Sequence, residues 1–74
     1  MATRVKLNNF LKIEDTSIEG FAASIGKTSR SIYNWLNDES AEYIVIYDAR
    51  NNQVIEVVRS SVKSVYVRDG NETL

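Results

Sequence analysis

The chain has 74 residues, of which 43% are hydrophobic, and its nine basic and ten acidic side chains give a net charge of −1 at pH 7. A chain of this length forms one domain with a small core, and it has no apolar run approaching the ~20 residues that a membrane-spanning helix needs. Cys and His are both absent, which excludes disulfides, Cys/His zinc sites and catalysis by His.

Carboxylates are the acid–base groups that remain, and they occur next to the ends of predicted helices. Glu14 and Asp15 precede a helix start, and Asp38 and Glu39 follow a helix end; both positions are typical of helix termini and solvated surface. We therefore expect no enzyme, no cofactor and no metal. The first ten residues lack the long apolar core of a signal peptide, which predicts a cytoplasmic protein.

Two different spacings of apolar residues predict the first two elements, a strand and a helix. From Thr3 to Leu7 the residues alternate in the period of a strand, and a strand this short must pair with a later one. Leu7, Phe10 and Leu11 then have the i, i+3, i+4 spacing of one helical face. This spacing predicts a first helix that ends near Glu14.

The stretch 16–37 predicts two further short helices joined by a tight turn. Thr16 and Glu19 have the spacing of a capping box, in which each side chain bonds the amide of the other residue, and so mark the start of the second helix. Gly26 ends it, because glycine accepts the positive φ that commonly follows a helix.

The third helix begins immediately after this turn. Thr28 is its predicted N-cap, with Ser29 as the alternative, and the helix runs to about Leu36. Two helices joined so closely must cross steeply, as they do in a helix-turn-helix. Their apolar faces consist of Ile18, Phe21, Ala22, Ile25, Ile32, Trp35 and Leu36.

From residue 43 onward the pattern changes to that of strands. Tyr43–Tyr47 is β-branched and aromatic, residues 48–53 form a polar turn, and Val54–Arg59 returns as a second strand. Residues 62–68 alternate again and favour a third strand, whereas 69–74 form a frayed tail.

These elements predict an α+β fold in a single domain over residues 1–74. It has a short N-terminal strand, a three-helix core with a helix-turn-helix at 16–37, and a β-sheet region at 42–68. That region is an antiparallel β-hairpin with the further strand as an addition.

The spacing of three residues in the central stretch resembles the helix-turn-helix of phage repressors. In that pattern a small residue, a glycine four positions later and a β-branched residue six positions after the glycine recur, and here they are Ala22, Gly26 and Ile32. Lys27 departs from it, since an apolar residue usually follows the glycine; its methylene stem can still cover the core. Over residues 3–59 the order of elements is similar to the Cro repressors of lambdoid phages, from which the strand at 62–68 is a departure.

The resemblance implies a transcription regulator in the cytoplasm of a bacterial host. A symmetric homodimer would bind double-stranded DNA at a near-palindromic operator, with helix 28–37 of each copy in the major groove. It implies base contacts by Ser29, Arg30, Tyr33 and Asn34, and phosphate contacts by Thr16, Ser17, Lys27 and Thr28. No membrane or small-molecule substrate is implied.

Two copies are expected to pair through the C-terminal sheet. Strand 54–59 is more apolar than an isolated edge strand should be, and strand 62–68 is the alternative. The predicted interface residues are Val54, Ile55, Val57 and Val58.

Two other functions remain open from the residues alone. In the first, the hairpin is a wing whose tip, Arg50, Asn51 and Asn52, touches DNA, as in an excisionase-like architectural factor. In the second, the helix-turn-helix serves protein contacts without DNA, which the slightly acidic net charge favours.

Overall fold

The computed structural model describes residues 2–51, 53–60 and 62–68. The chain contains both helices and strands, so the predicted α+β class is confirmed. The strand predicted at 62–68 is present as β4, whereas the predicted tail 69–74 and Asn52 lie outside the described residues. The elements are β1 Ala2–Lys6, α1 Leu7–Ile13, α2 Ile18–Ser24, α3 Ser29–Asn37, β2 Tyr43–Asp48, β3 Gln53–Arg59 and β4 Lys63–Val67.

The four strands form one antiparallel sheet in the order β1-β2-β3-β4. The N-terminal strand pairs with β2, so that Val5 lies opposite Val45, which gives this short strand the later partner that it requires. The register shifts once between β2 and β3 and once between β3 and β4.

All three helices pack on one face of this sheet. Val45 and Val57 are fully buried there, and Ile32 of α3 is likewise 0% exposed. Phe10 bridges the layers, since its ring lies 5.6 Å from that of Phe21 and 4.9 Å from that of Tyr47. The buried core comprises Leu7, Phe10, Phe21, Ala22, Ile25, Ile32, Tyr43, Val45 and Val57.

The joint between α1 and α2 is closed by backbone hydrogen bonds around Asp15, which has φ of 51°. The amide of Asp15 donates to the carbonyl of Lys12, and the amide of Thr16 donates to the carbonyl of Leu11, both at 3.2 Å. These are the two bonds of a Schellman motif, which satisfies the last carbonyls of a helix.

This motif overturns the capping box predicted for Thr16 and Glu19. The amide of Thr16 is already bonded to the end of α1, so the Glu19 carboxylate cannot receive it. The N-cap of α2 is instead Ser17, whose Oγ accepts from the amide of Gly20 at 3.0 Å.

The joint between α2 and α3 repeats the same motif at Gly26, whose φ is 71°. The amides of Gly26 and Lys27 donate to the carbonyls of Ala23 and Ala22, at 3.2 and 2.9 Å. A Cβ at Gly26 would meet nothing within 4 Å, so the backbone angle, not space, is what favours glycine here. The predicted N-cap at Thr28 is confirmed, because its Oγ1 accepts from the amide of Ser31.

The predicted interface residues Val54, Ile55, Val57 and Val58 all belong to β3. This strand is hydrogen-bonded on both sides, to β2 and to β4. The predicted pairing of two copies through strand 54–59 is therefore wrong, because that strand has no free edge. Val57 is also unavailable to a partner, because it lies in the core. In the described sheet the free edges belong to β1 and β4, so the alternative pairing through β4 remains.

Candidate nucleic-acid interface

One side of α3 carries a continuous row of exposed polar side chains. Arg30, Tyr33, Asn34 and Asn37 are exposed, Tyr33 by 47%, and their i, i+3, i+4, i+7 spacing aligns them along the helix. The opposite side carries Ile32 and packs on the core. We call these four residues the exposed stripe.

The exposed stripe unites three of the four predicted base-contacting residues. Ser29 is the exception: it is half-buried and lies at the border of the stripe, one turn before Tyr33. Asn37 is not one of the four predicted base-contacting residues, but its position seven residues after Arg30 places it on this side of the helix, within reach of bases and phosphates.

The turn before α3 places two predicted phosphate-contacting residues beside the stripe. Lys27 is exposed, and its amide is used by the carbonyl of Ala22, so the ammonium group is what it presents to solvent. Thr28 is also exposed, but its hydroxyl is committed to the cap, bonded to the amide of Ser31 and, at 3.1 Å, to the Ser31 hydroxyl.

The start of α2 offers less to a phosphate than the sequence predicts. The Thr16 amide bonds to Leu11, and the Ser17 hydroxyl oxygen accepts from Gly20. Glu19 adds a carboxylate to the first turn of this helix. Thr16 and Ser17 therefore retain only part of the bonding capacity assigned to them, and a negative charge lies close by.

The far end of α3 is held to the sheet by a group of side chains that we call the Asp38 cluster, comprising Asp38, Ser40, Tyr43 and Arg59. The Asp38 carboxylate accepts from the Ser40 hydroxyl at 2.6 Å and from the Ser40 amide at 3.0 Å. It also accepts from the Tyr43 hydroxyl at 3.1 Å and from Nε of Arg59 at 3.4 Å. Trp35 stacks on Tyr43 at 5.6 Å, which adds an apolar contact to the same junction.

These bonds stabilise the charged form of Asp38. The Ser40 hydroxyl and amide, with smaller contributions from Tyr43 and Arg59, hold the pKa of this carboxyl below its ordinary value of 3.8, and burial opposes them by less than either Ser40 bond. The negative charge that follows α3 in sequence is thus paired with Arg59 of β3.

The turn between β2 and β3 carries Arg50, the cation of the predicted wing. The Asp48 carboxylate shapes this turn by accepting from the amide of Arg50 at 3.0 Å and from the side chain of Asn51 at 2.8 Å. Arg50 is exposed. The turn follows the end of β2, opposite to the end at Tyr43 where α3 is anchored.

Comparisons with protein-family models, with curated proteins and with solved structures give no match. Among the described residues no helix is long and apolar enough to cross a membrane. A function for this chain is therefore inferred from its own side chains and their arrangement.

Proposed function

We propose that this protein is a sequence-specific DNA-binding transcription regulator of the Cro-like type, which inserts α3 into the major groove. The observation that carries the proposal is the exposed stripe, which begins directly after a tight turn at Gly26. Two observations support it: Ala22 of α2 and Ile32 of α3 are buried in the same core, and the exposed side of α3 bears groups that bond base edges.

Each side chain of the stripe has a role that its chemistry suggests. Arg30 donates two hydrogen bonds to guanine, and Asn34 pairs with the edge of adenine. Tyr33 contacts the thymine methyl group or a phosphate, and Ser29 contacts a base or a phosphate at the border of the stripe. Lys27 and Thr28 contact phosphates of the DNA backbone and so position α3 in the groove.

The regulator acts as a symmetric homodimer in the cytoplasm of a bacterial host, without a cofactor or enzymatic activity. One helix of nine residues reads few base pairs, and a dimer doubles the site. A two-fold axis in the protein then requires a near-palindromic operator with half-sites about one helical turn apart.

A binding-site selection from random duplexes, followed by footprinting, tests this function. Arg30→Ala should cost about 1–3 kcal/mol at one base-pair position and relax the preference there, because a paired guanine edge loses its donors. Lys27→Ala should weaken binding to all sequences alike. Lys12→Ala, an exposed lysine of α1, is the control. An equal loss on every sequence for Arg30→Ala would contradict the role given to that residue.

The exposed Arg50 supports a second candidate, a winged DNA-binding protein. In that case Arg50→Ala weakens binding as much as Arg30→Ala does, and the footprint extends beyond the stretch read by α3. A result in which Arg50→Ala leaves affinity and footprint unchanged removes the winged alternative.

A further inference from the structure

Residues 43–47 of β2, one of the two central strands, are apolar on both faces of the sheet, although the helices cover only one. Tyr43, Val45 and Tyr47 alternate toward the helices, so Ile44 and Ile46 lie on the opposite side of the sheet. An antiparallel strand with one face in water normally alternates apolar with polar residues. The sequence of β2 is therefore that of a strand covered on both sides.

The strand register identifies the residues that share this second face, which we call the outer face. Directly paired residues of neighbouring strands point to the same side. The outer face therefore contains two rows that cross all four strands, Arg4–Ile46–Glu56–Val67 and Lys6–Ile44–Val58–Ser64. A third, shorter row, Ala2–Asp48–Gln53, lies at the turn end of β2, where the Asp48 carboxylate is bonded within the turn. Val58 is only 8% exposed yet lies outside the core under the helices, so the centre of the outer face is apolar and closely packed.

Charges of opposite sign flank this apolar centre within one row. Arg4 lies on one side of Ile46, and Glu56 lies on the other. A hydrogen bond from the Ser64 hydroxyl holds the Glu56 carboxylate on the outer face. Among the described residues Arg4 forms no ion pair, whereas the neighbouring Lys6 is paired with Glu42 at 3.0 Å.

We propose that the outer face packs against the same face of a second copy of this chain, around a two-fold axis parallel to β2. A rotation about this axis places β1 of one copy over β3 of the other. Because the axis runs along the strands, each row of one copy faces the same row of the other. Ile44 and Ile46 then meet their counterparts at the centre. Because Arg4 and Glu56 lie in the same row at equal distances from β2, Arg4 lies over the partner's Glu56, and the partner's Arg4 lies over Glu56.

Sheets stacked in this way lie about 10 Å apart with nearly aligned strands, a separation that Arg and Glu side chains bridge. The face has four short strands, so the interface belongs to the small class. This packing uses neither free edge of the sheet, and it is independent of the proposed DNA binding, since association is measured without DNA.

Charge exchange between Arg4 and Glu56 tests the proposal by sedimentation equilibrium. The wild-type protein should form a dimer, and Arg4→Glu or Glu56→Lys alone should weaken association by about tenfold or more, because each places two pairs of like charges in contact. An equimolar mixture of the two variants should recover the wild-type affinity, because in a mixed dimer every facing pair has opposite charges. Lys12→Glu makes the same charge change as Arg4→Glu but lies on α1, so it should leave association unchanged.

Recovery in the mixture also shows that both variants are folded, since misfolded chains would not restore a specific dimer. A wild-type protein that stays monomeric at millimolar concentration overturns the proposal. So does a dimer that neither variant weakens, which would indicate another surface such as the free edge of β4. A mixture of the two variants that fails to associate, while circular dichroism shows both to be folded, overturns it as well.

Discussion

Two residues with left-handed backbone angles follow the ends of α1 and α2, and they differ in the strain that they carry. Gly26 adopts φ of 71° and Asp15 adopts 51°, each at the end of a helix with the same pair of backbone bonds. A side chain in this conformation approaches the carbonyl that follows it, which glycine avoids and Asp or Asn tolerates better than other residues.

Replacing Gly26 tests whether the backbone angle alone selects glycine. Gly26→Ala should lower the free energy of unfolding by about 1–2 kcal/mol, and Gly26→Asn by less, since Asn enters the left-handed region more readily. Urea denaturation measures both variants, and the space around this residue admits either side chain. Equal losses for Ala and Asn would show that something other than φ is limiting.

At the scale of elements, different interactions position the two ends of α3. Its amino end is held by the turn at Gly26 and the cap at Thr28, both local in sequence. Its carboxyl end is held by the Asp38 cluster, which reaches 21 residues along the chain to Arg59. The orientation of the exposed stripe therefore depends on the sheet.

The Asp38 cluster predicts a loss of stability in acid. Because the native pKa of Asp38 is lowered, the carboxylate stabilises the fold above the unfolded value of 3.8 and loses this effect as pH falls through the native pKa. The urea concentration at the midpoint of wild-type unfolding should therefore decrease as the pH is lowered from about 5 to about 2. Asp38→Asn should make this decrease smaller. Glu39→Gln, a neighbouring exposed carboxylate outside the cluster, is the control; if it flattens the profile equally, the assignment to Asp38 is incorrect.

For the whole molecule, affinity for nucleic acid depends more on where the charges lie than on the net charge. The net charge of −1 suggests no affinity for nucleic acid, yet Lys27 and Arg30 lie together where the exposed stripe begins. The acidic Asp38, at the other end of the helix, is engaged by Arg59. A local group of positive charges attracts an anionic ligand even where the net charge of the protein is slightly negative.

The salt dependence of DNA affinity tests whether this local positive charge contacts DNA phosphates. The logarithm of the binding constant should fall linearly with the logarithm of salt concentration, with a slope of about −0.9 for each phosphate contacted. Lys27→Ala should make the slope less steep by about one, whereas Lys12→Ala should not change it. Absence of binding to mixed-sequence duplex at low salt would exclude both DNA-binding functions and leave the protein-interaction module.

Local chemistry made much of this structure predictable. Gly26 and Thr28 follow from backbone and capping preferences of single residues, and the strands follow from their β-branched composition. The start of α2 was not predictable in this way. Thr16 and Glu19 have the spacing of a capping box, but the Thr16 amide is taken by the end of the preceding helix, and the sequence does not show which of two competing bonds forms.

The sequence by itself determined the α+β class, the order of the elements, the tight turn between α2 and α3 and the polar side of α3, because each depends on residues close together in the chain. Tertiary structure decided which strands have free edges, which valines are buried, and that Asp38 bonds to Arg59. These depend on pairings between distant segments, which local patterns allow but do not select. The same pairings gather Arg4, Ile46 and Glu56 into one row of the outer face.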